Sequence, residues 1–307
     1  MNRRTPRQLL ARRSANIRRN MKADLHLHTT VSDGTLTPEE IVRQAAAQGF
    51  EWIAVTDHDS VDGIAPAVEA GRRLGVHVIP AAELSCGTSR EIHILGYGFN
   101  PQSEALRAYC SRRRESRIAR AREMCALMTQ CGKPVDFERV LELAGGVVGR
   151  PHVARALMEA GHVRSIREAF DRYLTPGKPG FVPRESVMAE EAIGAITKAC
   201  GVAVLAHPME LRMGDAMIES LIGQWKEQGL GGLEVYHPSA ANNQAAFLLR
   251  LARREGLLVT GGSDYHGETV RPSRIGEGLE RWTTVKEDLQ QLLERICAGS
   301  GCVNNEQ

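Results

Sequence analysis

Residues 24–34 read Asp24-Leu25-His26-Leu27-His28-Thr29-Thr30-Val31-Ser32-Asp33-Gly34. Successive side chains of a strand point to opposite faces, so His26 and His28 share one face while Leu25 and Leu27 share the other. Two imidazoles on one face of a strand suit a metal ion. Taken alone, the His-x-His pair is explained nearly as well by two ordinary surface or core histidines. Repetition decides between these readings: Asp57-His58-Asp59, Glu83, His207 and Asp264-Tyr265-His266 again set His or acid at or just past the end of a short apolar run.

Outward from this stretch, apolar runs recur at 23–27, 52–56, 76–79, 92–97, 202–206, 233–236 and 257–260. Most are followed by a segment with helical spacing, which is the alternation of βα units. Thr37 is set to cap a helix with Pro38 in its first turn, and Gly49 and Gly75 are set to stop helices before the next strand. The expected fold is therefore α/β, with seven strands. In an α/β barrel the C-terminal strand ends face one another across one mouth, so clusters more than two hundred positions apart converge there. His93 is the exception, lying within its run.

From Asn100 to about Glu190 the spacing is helical, broken by GGVVGRPH (145–152) and YLTPGKPG (173–180). The expected organisation is a disordered basic tail over 1–21, a barrel from 22–100 and 190–307, and a helical substrate-binding insertion over 101–189. Met21, just ahead of the first strand, is an alternative start.

Composition narrows the class. With 307 residues, 42% hydrophobic and 25% charged, the chain reads as a soluble globular protein. No stretch approaches the roughly 20 apolar residues that span a bilayer. A net charge of +2 gives no argument for nucleic-acid binding. Seven of the first twenty residues are arginine, without the apolar core of a signal peptide. A second basic stretch, SRRRESRIARARE (111–123), intersperses acids and reads as a solvated helix face, with the alternative that either basic stretch helps hold RNA. The seven cysteines form no CxxC pair and read as reduced thiols of a cytoplasmic protein.

Imidazoles and carboxylates without thiolates favour Mn²⁺, Fe²⁺ or Zn²⁺ in an open, catalytic site. The candidates His26, His28, Asp33, His58, Glu83, His93, His207, Asp264 and His266 exceed the needs of one ion but suit two or three sharing a carboxylate. Ions about 3.5–4 Å apart serve hydrolysis of a phosphate ester.

These motifs resemble the polymerase and histidinol phosphatase (PHP) superfamily. The resemblance rests on DLHLHTTVSDG (24–34), TDHDS (56–60), AELSCGTSREIHILGYG (82–98), AHP (206–208) and GSDYH (262–266). It implies a distorted seven-stranded, TIM-like βα barrel with a trinuclear centre. His26, His28, Glu83 and Asp264 would hold the first ion; Glu83 would bridge to a second on His93 and His207; Asp33, His58 and His266 would hold a third. Asp33 stands where many members carry histidine, which makes the set more acidic and turns the expectation towards Mn²⁺.

GRPHVARALMEAGHV (149–163) and REAFDRYLTPGKPGFV (167–182) resemble a narrower subgroup. Its members remove the 3′-phosphate of nucleoside 3′,5′-bisphosphates or act as 5′-to-3′ exoribonucleases on short 5′-phosphorylated RNA. The resemblance implies those substrates, with no membrane and no obligate protein partner. Arg150 is then the expected phosphate grip, since a guanidinium offers two parallel donors, with His152 and Lys178 beside it. The plainer alternatives are a helix start with Arg150 solvated and a rigid loop at PGKPG. His237 is expected to contact substrate or protonate the leaving oxygen, or else to be structural. His77 and His162 read as structural or solvated, and Cys86 as a small buried apolar residue. Three other functions stay open: a phosphatase for another metabolite such as histidinol phosphate, an amidohydrolase, for which no late bridging lysine is found, and a non-catalytic nucleic-acid-binding PHP module, against which the nine complete positions argue.

Overall fold

Trp52-Ile53-Ala54-Val55 is apolar at every position and buried on both faces, the signature of a strand inside a covered parallel sheet. A computed structural model, which describes residues 21–87, 90–267 and 273–298, bears out the expected α/β barrel. The expectations for the N-terminal tail and for Cys302 lie outside the described residues. The chain begins as βα units: β1 (Ala23–Leu27), α1 (Pro38–Ala47), β2 (Trp52–Val55), α2 (Ile64–Leu74) and β3 (His77–Cys86). Thr37 caps α1 by accepting from Glu40 N at 3.2 Å while Glu40 accepts from Thr37 N at 2.8 Å. Gly75 ends α2 at φ +76°, a left-handed conformation that costs glycine nothing.

The pattern breaks at β3. The apolar run ends at Ile79 because Pro80 interrupts it, but the strand does not stop there. Residues 77–80 pair in parallel with β2, and residues 81–86 pair antiparallel with β4 (Ile92–Tyr97). Pro80 is tolerated where one ladder gives way to the next. Glu83 therefore lies inside a strand rather than past its end, and β4 runs against its neighbours. That reversal explains His93, because the start of an antiparallel strand is at the same end of the sheet as the finish of a parallel one.

Since β4 exits at the opposite end, the chain must climb back. It does so through α3 (Glu104–Gln130), whose 27 residues span about 40 Å at the usual helical rise. The first half of α3 packs Leu106, Tyr109 and Cys110 into the barrel core. Its second half packs Ala121, Met124, Cys125 and Met128 into a separate core with α4 (Phe137–Ala144), α5 (Arg150–Glu159), α6 (Ile166–Ala169) and a π turn over Phe170–Leu174. The basic stretch of α3 is not a solvated face. Arg113 is buried, pairing with Glu185, and Arg117 pairs with Asp59 at the barrel mouth.

The remaining units are α7 (Ala189–Lys198), β5 (Val202–Leu205), α8 (Asp215–Glu227), β6 (Leu230–Tyr236), α9 (Asn242–Glu255), β7 (Leu258–Gly261) and α10 (Val285–Ala298). The sheet runs β1 to β7 in chain order. Beyond β7, a single parallel bridge, Leu27 to Tyr265, leads back to β1. Asp24, fully buried, completes this seam by accepting from Ser263 N (3.0 Å), Ser263 Oγ (2.6 Å), Gly276 N (2.8 Å) and His26 N (3.3 Å). Among the described residues no helix is long and apolar enough to cross a membrane.

Replacing Asp24 by alanine strands these buried donors. Asp24→Ala is expected to lower unfolding stability by about 3 kcal/mol, read as a fall in the urea midpoint at an unchanged m-value.

Candidate metal centre

Glu83 is the hub of the site. It is fully buried, and its Oε1 lies 2.8 Å from His93 Nδ1 and 3.0 Å from His207 Nε2. Its Oε2 lies 3.0 Å from His58 Nδ1, 3.2 Å from His28 Nε2 and 3.3 Å from His26 Nε2. Asp264 Oδ1 approaches His28 Nε2 at 3.2 Å, His26 Nε2 at 3.4 Å and His266 Nδ1 at 3.5 Å. Asp33 faces His266 Nε2 at 3.3 Å and His58 Nε2 at 3.9 Å. All nine residues singled out in the sequence meet here, from six strands or their following loops.

Three overlapping sets have donor atoms close enough to share one ion: His26, His28, Glu83 and Asp264; His58, Glu83 and His93; and His28, Asp33, His58 and His266. His207 joins the second set through Glu83 and through His93, at 3.3 Å between ring nitrogens. His58 stands between the second set and the third.

The charges show what is missing. Burial opposes ionisation of Glu83, but the imidazoles of His93, His58 and His26 outweigh it and hold its carboxyl well below the usual range. Against the same burial, Glu234, Glu83 and Asp264 hold the His26 imidazole well above its usual range, and Asp264 and Glu83 lift His28 to about 9. His28 Nδ1, Asp33 Oδ1, His58 Nδ1 and Glu83 Oε2 are buried without a hydrogen bond, although His58 Nδ1 and Glu83 Oε2 approach each other. Buried polar atoms are rarely left so. Convergent lone pairs, nitrogen and oxygen donors and surplus carboxylate fit divalent ions of the Mn²⁺ to Zn²⁺ series.

The backbone is bent to make this cluster. Asp59, His207 and Asp264 have φ of +48°, +28° and +51°, conformations that cost a non-glycine residue about 1–3 kcal/mol each and gather at functional sites. At Gly262 a Cβ would stand 2.1 Å from the Cβ of His26, so only glycine lets the end of β7 approach β1.

Above the cluster opens a cavity of about 820 Å³. Arg90, Arg117, Arg120, Arg150 and Arg184 line it together with His58, Glu83, His93, His207, Asp264, His266 and Asp33. Arg117 pairs with Asp59 and Arg184 with Glu91, whereas Arg120 and Arg150 make no ion pair among the described residues. Burial, then the charge of Arg150 and Arg117, pushes Arg120 down to about 10. An anion would relieve this crowding. Arg150 also lies over the Phe170 ring, 5.6 Å from its centroid, in the first turn of α5. His152, in the same turn, is buried and accepts from Gly149 N at 3.0 Å. Lys178 is exposed and does not line the cavity.

His237 borders an adjoining space of about 300 Å³ that shares Glu210, Ser239 and Asp264 with the main cavity. Its Nδ1 lies 3.1 Å from Ser239 N and within hydrogen-bond reach of Ser239 Oγ, and its Nε2 lies 3.7 Å from Asp264 Oδ2. His77 packs on Trp52, His162 Nε2 donates to Pro134 O, and the Cys86 thiol is buried with its pKa pushed up by burial.

Sequence reading missed Glu234, Arg117, Arg120 and Arg184. Glu234 carried a signal, being a carboxylate inside the apolar run of β6. Arg117 and Arg120 did not stand out, since a helical face rich in Arg and Glu looks solvated until its neighbour is known, and Arg184 lies in an irregular segment that carries no periodic signal.

Residues 24–179 match the family described as the PHP domain. The 3′,5′-nucleoside bisphosphate phosphatase of Chromobacterium violaceum is 38% identical over 79% of this chain and 86% of its own length. The 5′-3′ exoribonuclease Rnm of Escherichia coli is 36% identical over 89% and 96%. A phosphoribosyl 1,2-cyclic phosphate 1,2-diphosphodiesterase of Eggerthella lenta is 36% identical over 83% and 98%. A crystal structure from Bifidobacterium adolescentis, assigned as a metal-dependent phosphoesterase, superposes with a TM-score of 0.78 at 32% identity, covering 90% of this chain and 96% of that one. With the PHP match spanning half its length and relatives above 30% identity along most of it, this chain belongs to the PHP family of phosphoesterases.

Proposed function

We propose that this PHP chain hydrolyses the 3′-phosphate of nucleoside 3′,5′-bisphosphates, and that the same site accepts the 5′-phosphorylated end of a short RNA. The observation that carries the reading is the sharing of one cavity by the carboxylate–imidazole cluster and an arginine wall. A phosphoester beside a second phosphate fits that pairing. A lone phosphomonoester would need only the cluster.

His26, His28, Glu83 and Asp264 are assigned to one ion, Glu83, His93 and His207 to a second, and Asp33, His58 and His266 to a third. The acidity of the set supports Mn²⁺ ahead of Zn²⁺ or Fe²⁺. Divalent ions there supply Lewis acidity towards the phosphoryl group and its attacking water. The protein's own groups do the rest. Arg150 and Arg120 bind the second phosphate and align the ester, with His152 in the same turn as Arg150. His237, as the imidazolium that Asp264 and Glu234 favour against burial, gives its Nε2 proton to the departing ribose oxygen and keeps its Nδ1 proton, donated to Ser239 Oγ, returning to the neutral ring. Residues 101–189 thereby act as the substrate-binding insertion. Among the described residues Cys86, Cys110, Cys125 and Cys131 are free thiols, which suits a cytoplasmic setting.

Substrate competition tests the reading. Purified enzyme with Mn²⁺ is expected to prefer adenosine 3′,5′-bisphosphate and 5′-phosphorylated oligoribonucleotides over histidinol phosphate and over a ribose 1,2-cyclic phosphate. Preference for either of the latter overturns the assignment. Arg150→Ala is expected to lower kcat/KM for the bisphosphate about 10- to 100-fold, the value of a charged hydrogen bond, and to leave adenosine 3′-monophosphate nearly unaffected. His237→Gln is expected to lower kcat about 100-fold, but far less for p-nitrophenyl phosphate, whose leaving group needs no proton.

A further inference from the structure

We infer that Glu234 is a positioning residue that ties two ion subsites together, each of its carboxylate oxygens fixing a ligand of a different subsite. The inference rests on the metal reading given above. Glu234 lies in β6, fully buried between Leu233 and Val235. It belongs to none of the three sets able to share an ion, and both its oxygens are already engaged. Oε1 lies 2.9 Å from His26 Nδ1, and Oε2 accepts from His207 N at 2.7 Å.

The first contact decides which nitrogen of His26 can ligate. An ionised carboxylate only accepts, so in the neutral ring that a metal ligand must be, Nδ1 carries the proton and Nε2 is left with the lone pair. That Nε2 faces Glu83 Oε2 at 3.3 Å and Asp264 Oδ1 at 3.4 Å. The second contact fixes a backbone rather than a ring. His207 sits at φ +28° and ψ +62°, well away from ordinary strand or helix values, and the Glu234 bond holds its amide there. Its ring then points Nε2 at Glu83 Oε1, 3.0 Å away. His26 is carried by β1 and His207 follows β5, with three strands between them in the sheet. Among the described residues β1 and β5 do not pair with each other, and Glu234 reaches from β6 to His26 and to His207.

This arrangement makes an unusual demand on isosteres. Both partners of Glu234 are N–H donors, and a glutamine has one acceptor and one donor end. In Glu234→Gln the carbonyl can keep the His207 amide, but the NH₂ then faces His26 Nδ1. The ring responds by moving its proton to Nε2, the nitrogen that should ligate. The subsite of His26 fails while the subsite of His207 survives. Glu234→Ala releases both.

The experiment is Mn²⁺ titration of metal-stripped full-length chain by calorimetry, with ¹⁵N–¹H long-range correlation of the histidine rings. In Glu234→Gln one subsite is expected to weaken about 10- to 100-fold, the usual effect of losing a partner behind a ligand, with the His26 proton on Nε2. In Glu234→Ala two subsites are expected to weaken. Glu234→Asp keeps two acceptors on a shorter stem and is expected to keep the His26 tautomer with intermediate affinity, which serves if the glutamine variant does not fold. Wild-type affinity and an unchanged tautomer in Glu234→Gln, or wild-type affinity in Glu234→Ala, overturn the inference alone. A wild-type chain that binds fewer than two ions overturns the metal reading, and the inference with it.

Discussion

A carboxylate with five imidazoles around it in the interior of a protein is the constraint from which the rest of this molecule follows. Glu83 is fully buried, and the free energy of burying an isolated charge is prohibitive unless that charge is paired. Its partners come from β1, the loop after β2, β4 and the loop after β5, so the charge is compensated only when the sheet has curled far enough to bring those elements to one place. The hub thus links barrel closure to site assembly. Asp24 and the Leu27–Tyr265 bridge finish that closure at the seam, and His26 lies between them in sequence, so the same strand that seals the barrel also delivers His26 and His28 to the cluster.

The reversed strand has an equally broad effect. By running antiparallel, β4 turns its first residues, and with them His93, towards the mouth, and sends the chain out at the far end. The return journey needs a long helix, and α3 uses its length twice, packing one half on the barrel and the other in a second core. Between those halves, Arg117 reaches Asp59 and Ser85, anchoring the insertion beside His58. One topological inversion thereby explains an in-strand ligand, a long helix and a roof of arginines.

How much of this was legible follows from what each feature depends on. Seven of the nine candidate metal residues lie near the end of a parallel strand or follow one, where local pattern and the barrel rule suffice. Glu83 joins the cluster but was read as lying past its strand, because a proline inside a strand looks like its end when the partner strand is unseen; His93 was read within its strand, and only the reversed direction of that strand was hidden. The arginine wall was largely invisible. Helical periodicity tells which residues share a face, not what that face meets, and Arg113 and Arg117 looked solvated only because the acids that receive them, Glu185 and Asp59, lie far away in sequence. Lys178 shows the converse error: a conspicuous residue in a rigid Pro-Gly loop drew interest that its exposed position does not support. Glu234 was readable in principle, since an acid inside an apolar run must find a donor somewhere.

Beside a smaller core between β1, β2, α1 and α2, the barrel core and the core of the insertion are bridged by α3, and this division bears on how such enzymes diversify. The residues of the insertion's core, from Ala121 to Val182, are distinct from those packed around the strands of the barrel. Relatives of nearly equal similarity bear names with different phosphate esters, as expected of a catalytic base fitted with an exchangeable cover. The hinge of that modularity is the Arg117–Asp59 contact, where a change made for specificity first touches the machinery of catalysis.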